Sequence, residues 1–288
     1  MIILRKWAMA MGAGILTLGL AACSDTAEPA AGSEGEKGAD SDLTLEEVFT
    51  KTNEASEEIN SLHADMVTSQ MMTVESAGME IETVSDISMD MTMEPMAFYQ
   101  TGETKMNSEE MGDMPPMTME MYYTEEGMYM FEPTMETWMK MPSTEMEQLQ
   151  TMMDQQTADP SKQMEELEAF KDDFTFEQTA DDYVLKLNAS GEEYQELIGE
   201  QMEQMLGQMD MEVQTVLEGM TINDVAYEIF IDKETFLPSV INIDMDLDME
   251  IEGESMNIKS VVDSEYSKYD EIDSITVPAE VIEQAQEI

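Results

Sequence analysis

Cys23 is the only cysteine of the 288 residues, and what stands before it decides its chemistry. Leu20, Ala21 and Ala22 precede it, giving the order aliphatic, small, small, cysteine. Small side chains there fit a signal peptidase, and the thiol takes a diacylglycerol before cleavage. Arg5 and Lys6 followed by the uncharged apolar run 7–22 complete the pattern, and that run is too short and too rich in Gly and Ala for a membrane span. The spacing predicts a signal peptide over residues 1–22, with Cys23 as the lipidated first residue of the mature chain. No second thiol is then left for a disulfide or a cysteine metal site.

The 34 methionines are the next residues with chemistry to offer. They recur as Met-x-Met at Met89/Met91/Met93, Met117/Met119/Met121, Met128/Met130 and Met139/Met141. Thioethers are soft donors that select Cu(I), so copper binding is one reading. Strand alternation gives the same spacing without metal, because residues i and i+2 share a face and methionine is then the hydrophobe on the core side. A methionine-lined surface adapts to irregular apolar ligands at little strain. On strand phase, Met89, Met91, Met93, Met119, Met121, Trp138 and Met139 from the first half, with Tyr227, Ile229 and Ile231 from the second, are the expected lining of an apolar cavity.

Other constellations fail. Asp244, Asp246 and Asp248 match positions 1, 3 and 5 of a calcium loop, but Met249 replaces the required glycine and Ser255 the bidentate glutamate. His63 is the single histidine and is expected exposed on a strand's polar side. No nucleophile elbow, His-Glu-x-x-His or phosphate-cradling glycine loop is present. With 65 carboxylates, any acidic pair carries no information about glycoside hydrolysis. The expectation is a binding protein rather than an enzyme, with no cofactor and no metal site.

The formal charge is −53, and removal of Arg5 and Lys6 makes it −55. Such a surface repels nucleic acid and anionic headgroups. Hydrophobic residues still make up 42%, enough to bury a core, so the acidity reads as a solvated surface suited to a saline or alkaline exterior rather than as disorder.

These residues need elements to position them. Residues 24–42 are small, polar and aperiodic, and are expected to form a disordered tether up to residue 43. Thr44 and Glu47 form a capping box ahead of a helix over 44–60. Period-two alternation from Leu62 predicts a meander over 62–141, turning at Ser76-Ala77-Gly78 and at Glu125-Glu126-Gly127. Helices are expected from Thr144, from Pro160 to about Phe170, and from Ser190 through the stripe Tyr194 to Met209. A hairpin joins Phe174–Gln178 to Tyr183–Leu187, strands return at 221–232, 237–252 and 255–270, and Pro278 opens a short last helix. Strands and helices in blocks, without regular alternation, make this α+β.

Three stretches carry a resemblance: Phe230-Ile-Asp-Lys-Glu-Thr-Phe-Leu-Pro238, Thr137-Trp-Met-Lys-Met-Pro142 and Tyr266-Ser-Lys-Tyr-Asp-Glu-Ile-Asp-Ser-Ile-Thr-Val-Pro278. They resemble LolA/LppX-like lipoproteins, and are most similar to a Gram-positive lipoprotein family of that expected fold. The resemblance covers 44–288 and implies a strongly curved antiparallel half-barrel sheet with helices over its open face, no catalytic residues, and a lipid-like ligand. The expected protein is a monomer held at the extracytoplasmic face of the cell membrane by the diacylglyceryl on Cys23. Its alternatives are a methionine-rich copper binder and a structural lipoprotein with a filled core.

Overall fold

The structure is a computed structural model that describes residues 26–31, 41–74, 76–108, 112, 114–142, 173–189, 219–251 and 253–287. The signal segment, Cys23 and the helices expected from Thr144, Pro160 and Ser190 lie outside the described residues.

Two blocks of strands carry the chain. The first runs β2 (Ser61–Val74), β3 (Met79–Met93), β4 (Met96–Ser108), β5 (Met117–Thr124), β6 (Gly127–Glu132) and β7 (Thr137–Lys140). The second runs β8 (Thr175–Gln178), β9 (Asp182–Ala189), β10 (Met220–Asp232), β11 (Pro238–Ile251) and β12 (Glu254–Ser267). Within each block every strand pairs antiparallel with the next, as short turns between alternating segments dictate. Strand β12 then pairs antiparallel with β2 from Met256↔Val74 to Ser267↔His63, fusing the blocks.

Both edges are finished by a chain terminus. The short β1 (Glu28–Pro29) adds parallel to β8, and β13 (Gln286–Glu287) adds parallel to β7. The result is one 13-stranded sheet that curves without closing, since β1 and β13 are its outermost strands. Covering an edge in this way removes a template for pairing with another chain.

Side chains alternate between two faces, and the register carries one apolar face across the whole sheet. A single row runs Phe176, Leu185, Ile229, Ile241, Ser264, Met66, Ile87, Gly102 and Met119. Gly102 stands where a Cβ would lie 2.8 Å from the Asp86 carbonyl oxygen and 3.2 Å from Ile87 Cγ1, so β4 can approach β3 this closely only with glycine. The opposite face is acidic, with Glu80, Glu82, Asp86 and Asp90 along β3.

The expected capping box is present before α1 (Leu45–Glu57): the Thr44 hydroxyl accepts from Glu47 N at 3.2 Å, and Thr44 N donates to Glu47 Oε2 at 2.9 Å. This helix buries Val48 and Phe49 against Phe174, Leu185, Leu187, Ile229 and Ile231 on the apolar face of the second block. The last helix, α2 (Ala279–Gln284), lies on the other face, where Val277 and Val281 pack on Tyr129 and Trp138. Helix cover of the open face therefore comes, among the described residues, from α1; α2 seals the acidic side near β7. Each terminus crosses to the block farther from it in sequence.

The segment read as a free tether is partly docked. Ala27 is buried in the α1 cluster, its carbonyl accepts from Gln178 Nε2 at 2.8 Å, and Ala30 N donates to Gln178 O at 2.8 Å. Ser41 holds its other end, its hydroxyl 2.6 Å from Tyr183 Oη.

Candidate functional site

The apolar face is divided. Over the second block it is a sealed core: Phe49, Leu185, Leu187, Ile229 and Ile231 have 0% exposure beneath α1. Over the first block, among the described residues, it is made of strand residues and of Tyr269 from the stretch after β12. Leu62, Ala64, Met91, Phe98 and Tyr123 are buried, with Met89, Met93, Met96, Met121 and Met128 packed around them, and no described helix joins this cluster. Met66, Met89, Met119, Met121, Met130 and Met139 are each half-buried. Tyr266, half-buried, packs against both clusters and marks the boundary.

The expected lining residues fall on three sides of this division. Met89, Met91, Met93, Met119, Met121 and Met139 share the open methionine region, and Tyr227 reaches the apolar face half-buried at its far side. Ile229 and Ile231 are filled core under α1, not lining. Trp138 is on the opposite face, because it precedes Met139 in a strand and adjacent residues cannot share a side. There it closes an aromatic stack that the sequence reading missed. Tyr99 and Tyr122 rings lie 4.4 Å apart, Tyr122 and Trp138 5.7 Å, and Phe131 and Trp138 5.5 Å. The pair Tyr122-Tyr123 carried the signal: one ring had to point outward. Burial, with the Glu120 carboxylate 2.9 Å from its hydroxyl, pushes the Tyr99 phenol well above its ordinary range.

Polar groups also stand on the apolar face: Ser260 and Ser264 are buried, and the Ser85 and Thr104 hydroxyls lie 3.0 Å apart. On α1 the sheet-facing stripe continues from Phe49 to Thr52, which is 0% exposed. Thr52 Oγ1, Asn53 Oδ1 and Ser56 Oγ are buried with no hydrogen-bond partner. Unsatisfied buried oxygens are costly and uncommon.

The acidic face organises its charge locally. His63 is only 14% exposed rather than open, with Nδ1 2.6 Å from Asp90 Oδ1 and Nε2 3.1 Å from Asp65 Oδ2. A hydrogen bond from Ser88, helped by His63, holds the Asp65 carboxyl below its usual range. Asp246 and Asp248 sit on an extended strand and are bridged by amides: Asn257 Nδ2 donates to Asp246 Oδ1 and Asp248 Oδ1, both at 2.8 Å. Asn223 Nδ2 donates to the same pair at 3.2 and 3.0 Å. Among the described residues no group of three His, Cys, Asp or Glu could hold a metal ion. An open groove of about 300 Å³ on this face has a mixed lining, with Lys186, Glu228, Asp244 and Asp263 beside Tyr227 and Val261.

The recurrent motifs meet in space. Asp232 Oδ1 accepts from Glu234 N, Thr235 N and the Thr235 hydroxyl, which shapes the β10–β11 turn. Pro238, which starts β11, accepts from Tyr269 Oη at 2.6 Å through its carbonyl. The closing stretch after β12 is thus pinned to the hairpin.

A curved, unclosed antiparallel sheet with one apolar face is a barrel-like fold. Residues 44–286 match the family of unknown function DUF6612, and the chain belongs to that family. No curated protein matches the chain. Two solved structures are similar in part. A β-barrel-like DUF1849 protein from Brucella abortus is 8% identical, covering 73% of this chain and 99% of its own, with a TM-score of 0.23. A DUF1329 protein from Desulfovibrio piger is 9% identical, covering 81% and 95%, also with a TM-score of 0.23. At those scores the fold description rests on this chain's own strand order.

Proposed function

We propose that this chain is an extracytoplasmic lipoprotein, anchored through Cys23, that binds a hydrophobic, lipid-like molecule on the methionine region of its apolar face. The observation that carries this reading is the division of that face. The same sheet is sealed by α1 over one block and left half-buried, with adaptable thioethers, over the other. A ligand site is mostly apolar, and the half-buried methionines Met66, Met89, Met119, Met121, Met130 and Met139 supply that surface. The reading is of a carrier or receptor rather than an enzyme, consistent with the LolA/LppX-like resemblance.

The test is solvent extraction and mass spectrometry of the purified full chain, followed by titration of the stripped protein with a fluorescent fatty acid. Binding tighter than about 10 μM, weakened at least ten-fold by Met119→Asp with Met121→Asp while circular dichroism is unchanged, is the expected result. No extractable lipid and no probe binding would overturn it.

One observation supports a second reading. Met121, Met130 and Met139 stand side by side on β5, β6 and β7. Three adjacent thioethers are a donor set for Cu(I). Titration with Cu(I), compared with the triple variant to leucine, separates the two: metal binding lost in that variant favours copper, and none at all removes it.

A further inference from the structure

Where the chain is held by its own N-terminal segment bears on how an anchored domain meets the bilayer. Residues 26–30 are tied to the β8 edge at several points. Thr26 bridges Thr44, Ala27 is 7% exposed within the α1 cluster, Glu28 and Pro29 pair with Glu177 and Gln178, and Ala30 N donates to Gln178 O. The Gln178 side chain, 2% exposed, ties this segment to its surroundings: Nε2 donates to the Ala27 carbonyl at 2.8 Å, while Oε1 accepts from Ser41 N at 3.0 Å and from Lys233 Nζ at 2.9 Å. This is a built seat with a buried polar residue, not a chance graze.

Cys23 precedes Thr26 by three residues, which span at most about 11 Å. A free tether from Cys23 to Thr44 would instead wander about 25 Å, and about 70 Å when extended. We propose that the docked segment 26–30 makes the β1–β8 edge the membrane-facing side of the domain, held within about 11 Å of the anchored cysteine in a fixed orientation against the lipid surface. This rests on lipidation of Cys23. The clamp also answers the charge problem, since an acidic domain on a loose tether drifts from anionic headgroups.

The test uses the full lipidated chain in vesicles of phosphatidylcholine with phosphatidylglycerol. Because Cys23 is blocked by its lipid, an introduced cysteine is the sole free thiol. One dye is attached at Thr175→Cys, exposed on β8, and in a separate protein at Thr134→Cys, exposed between β6 and β7 near the opposite edge. Energy transfer to an acceptor lipid is expected to be at least two-fold greater from position 175. A twelve-residue Gly/Ser insertion between Ser24 and Asp25, upstream of the seat, is expected to erase that difference. The same insertion between Glu34 and Gly35, downstream of it, is expected to leave the difference intact. Equal transfer from both positions in the uninterrupted chain, or identical effects of the two insertions, would overturn the clamp. Mass spectrometry of the N-terminal peptide separates the failures: no diacylglyceryl on Cys23 removes anchoring and clamp together, whereas a lipidated protein with equal transfer removes the clamp alone.

Discussion

Ile229 and Met121 lie on the same face of the same sheet, yet they should respond differently to substitution. Ile229 is fully buried among Leu185, Ile241 and the α1 side chains. Ile229→Ala leaves a cavity there and should cost about 2–5 kcal/mol in urea denaturation. Met121→Leu nearly conserves volume in a half-buried setting and should cost under about 1.5 kcal/mol. A loss of similar size for both would mean the methionine region is as tightly packed as the core. The Asp246 carboxyl is held below its ordinary 3.8 first by the Asn257 hydrogen bond, with Asn223 and Lys259 assisting against burial. A lowered folded-state value stabilises the protein above the unfolded value, and that contribution is lost as pH falls through the lowered one. Asn257→Ala should therefore move the Asp246 titration, followed by NMR, upward toward 3.8 and weaken the fold's resistance to acid below about pH 4. An unmoved midpoint would show that the amide bridge has no electrostatic role.

Elements at the two chain ends guard the sheet. Helix α1 depends on its capping box, and Thr44→Ala should cost about 0.5–2 kcal/mol, read as a lower thermal midpoint. At the other end, α2 and β13 cover the aromatic stack and the β7 edge. Truncation after Pro278 should expose both and produce concentration-dependent association by light scattering. A truncated protein that stays monomeric would mean the edge is protected by its own strand geometry. These elements were unequally legible. The Thr44/Glu47 box announced α1 because capping is local chemistry. Which face α2 would cover could not be read, since Val277 and Val281 show that the helix has an apolar side but not which side of a distant strand receives it. His63 likewise read correctly as belonging to the polar phase, but its burial between Asp65 and Asp90 depends on a neighbouring strand.

For the whole molecule, the charge of −53 implies mutual repulsion in the folded state that is relieved by screening. Raising NaCl from 0.05 to 1 M shortens the screening length from over 10 Å to about 3 Å and should raise the thermal midpoint by several degrees. A midpoint independent of salt would count against a salt-adapted surface. Strand phase, turn positions, the α+β class and the acidic-against-apolar alternation were settled by the sequence alone, because period two and turn chemistry act between residues a few positions apart. Only the tertiary structure decided that β12 joins β2 and that the apolar face is sealed at Ile229 but half-buried at Met119. It also decided that residues 26–30 lie along β8 instead of hanging free. Each of these depends on contacts between residues far apart in the chain, and pairing across such distances is selected by the assembly of the whole sheet rather than by any local pattern.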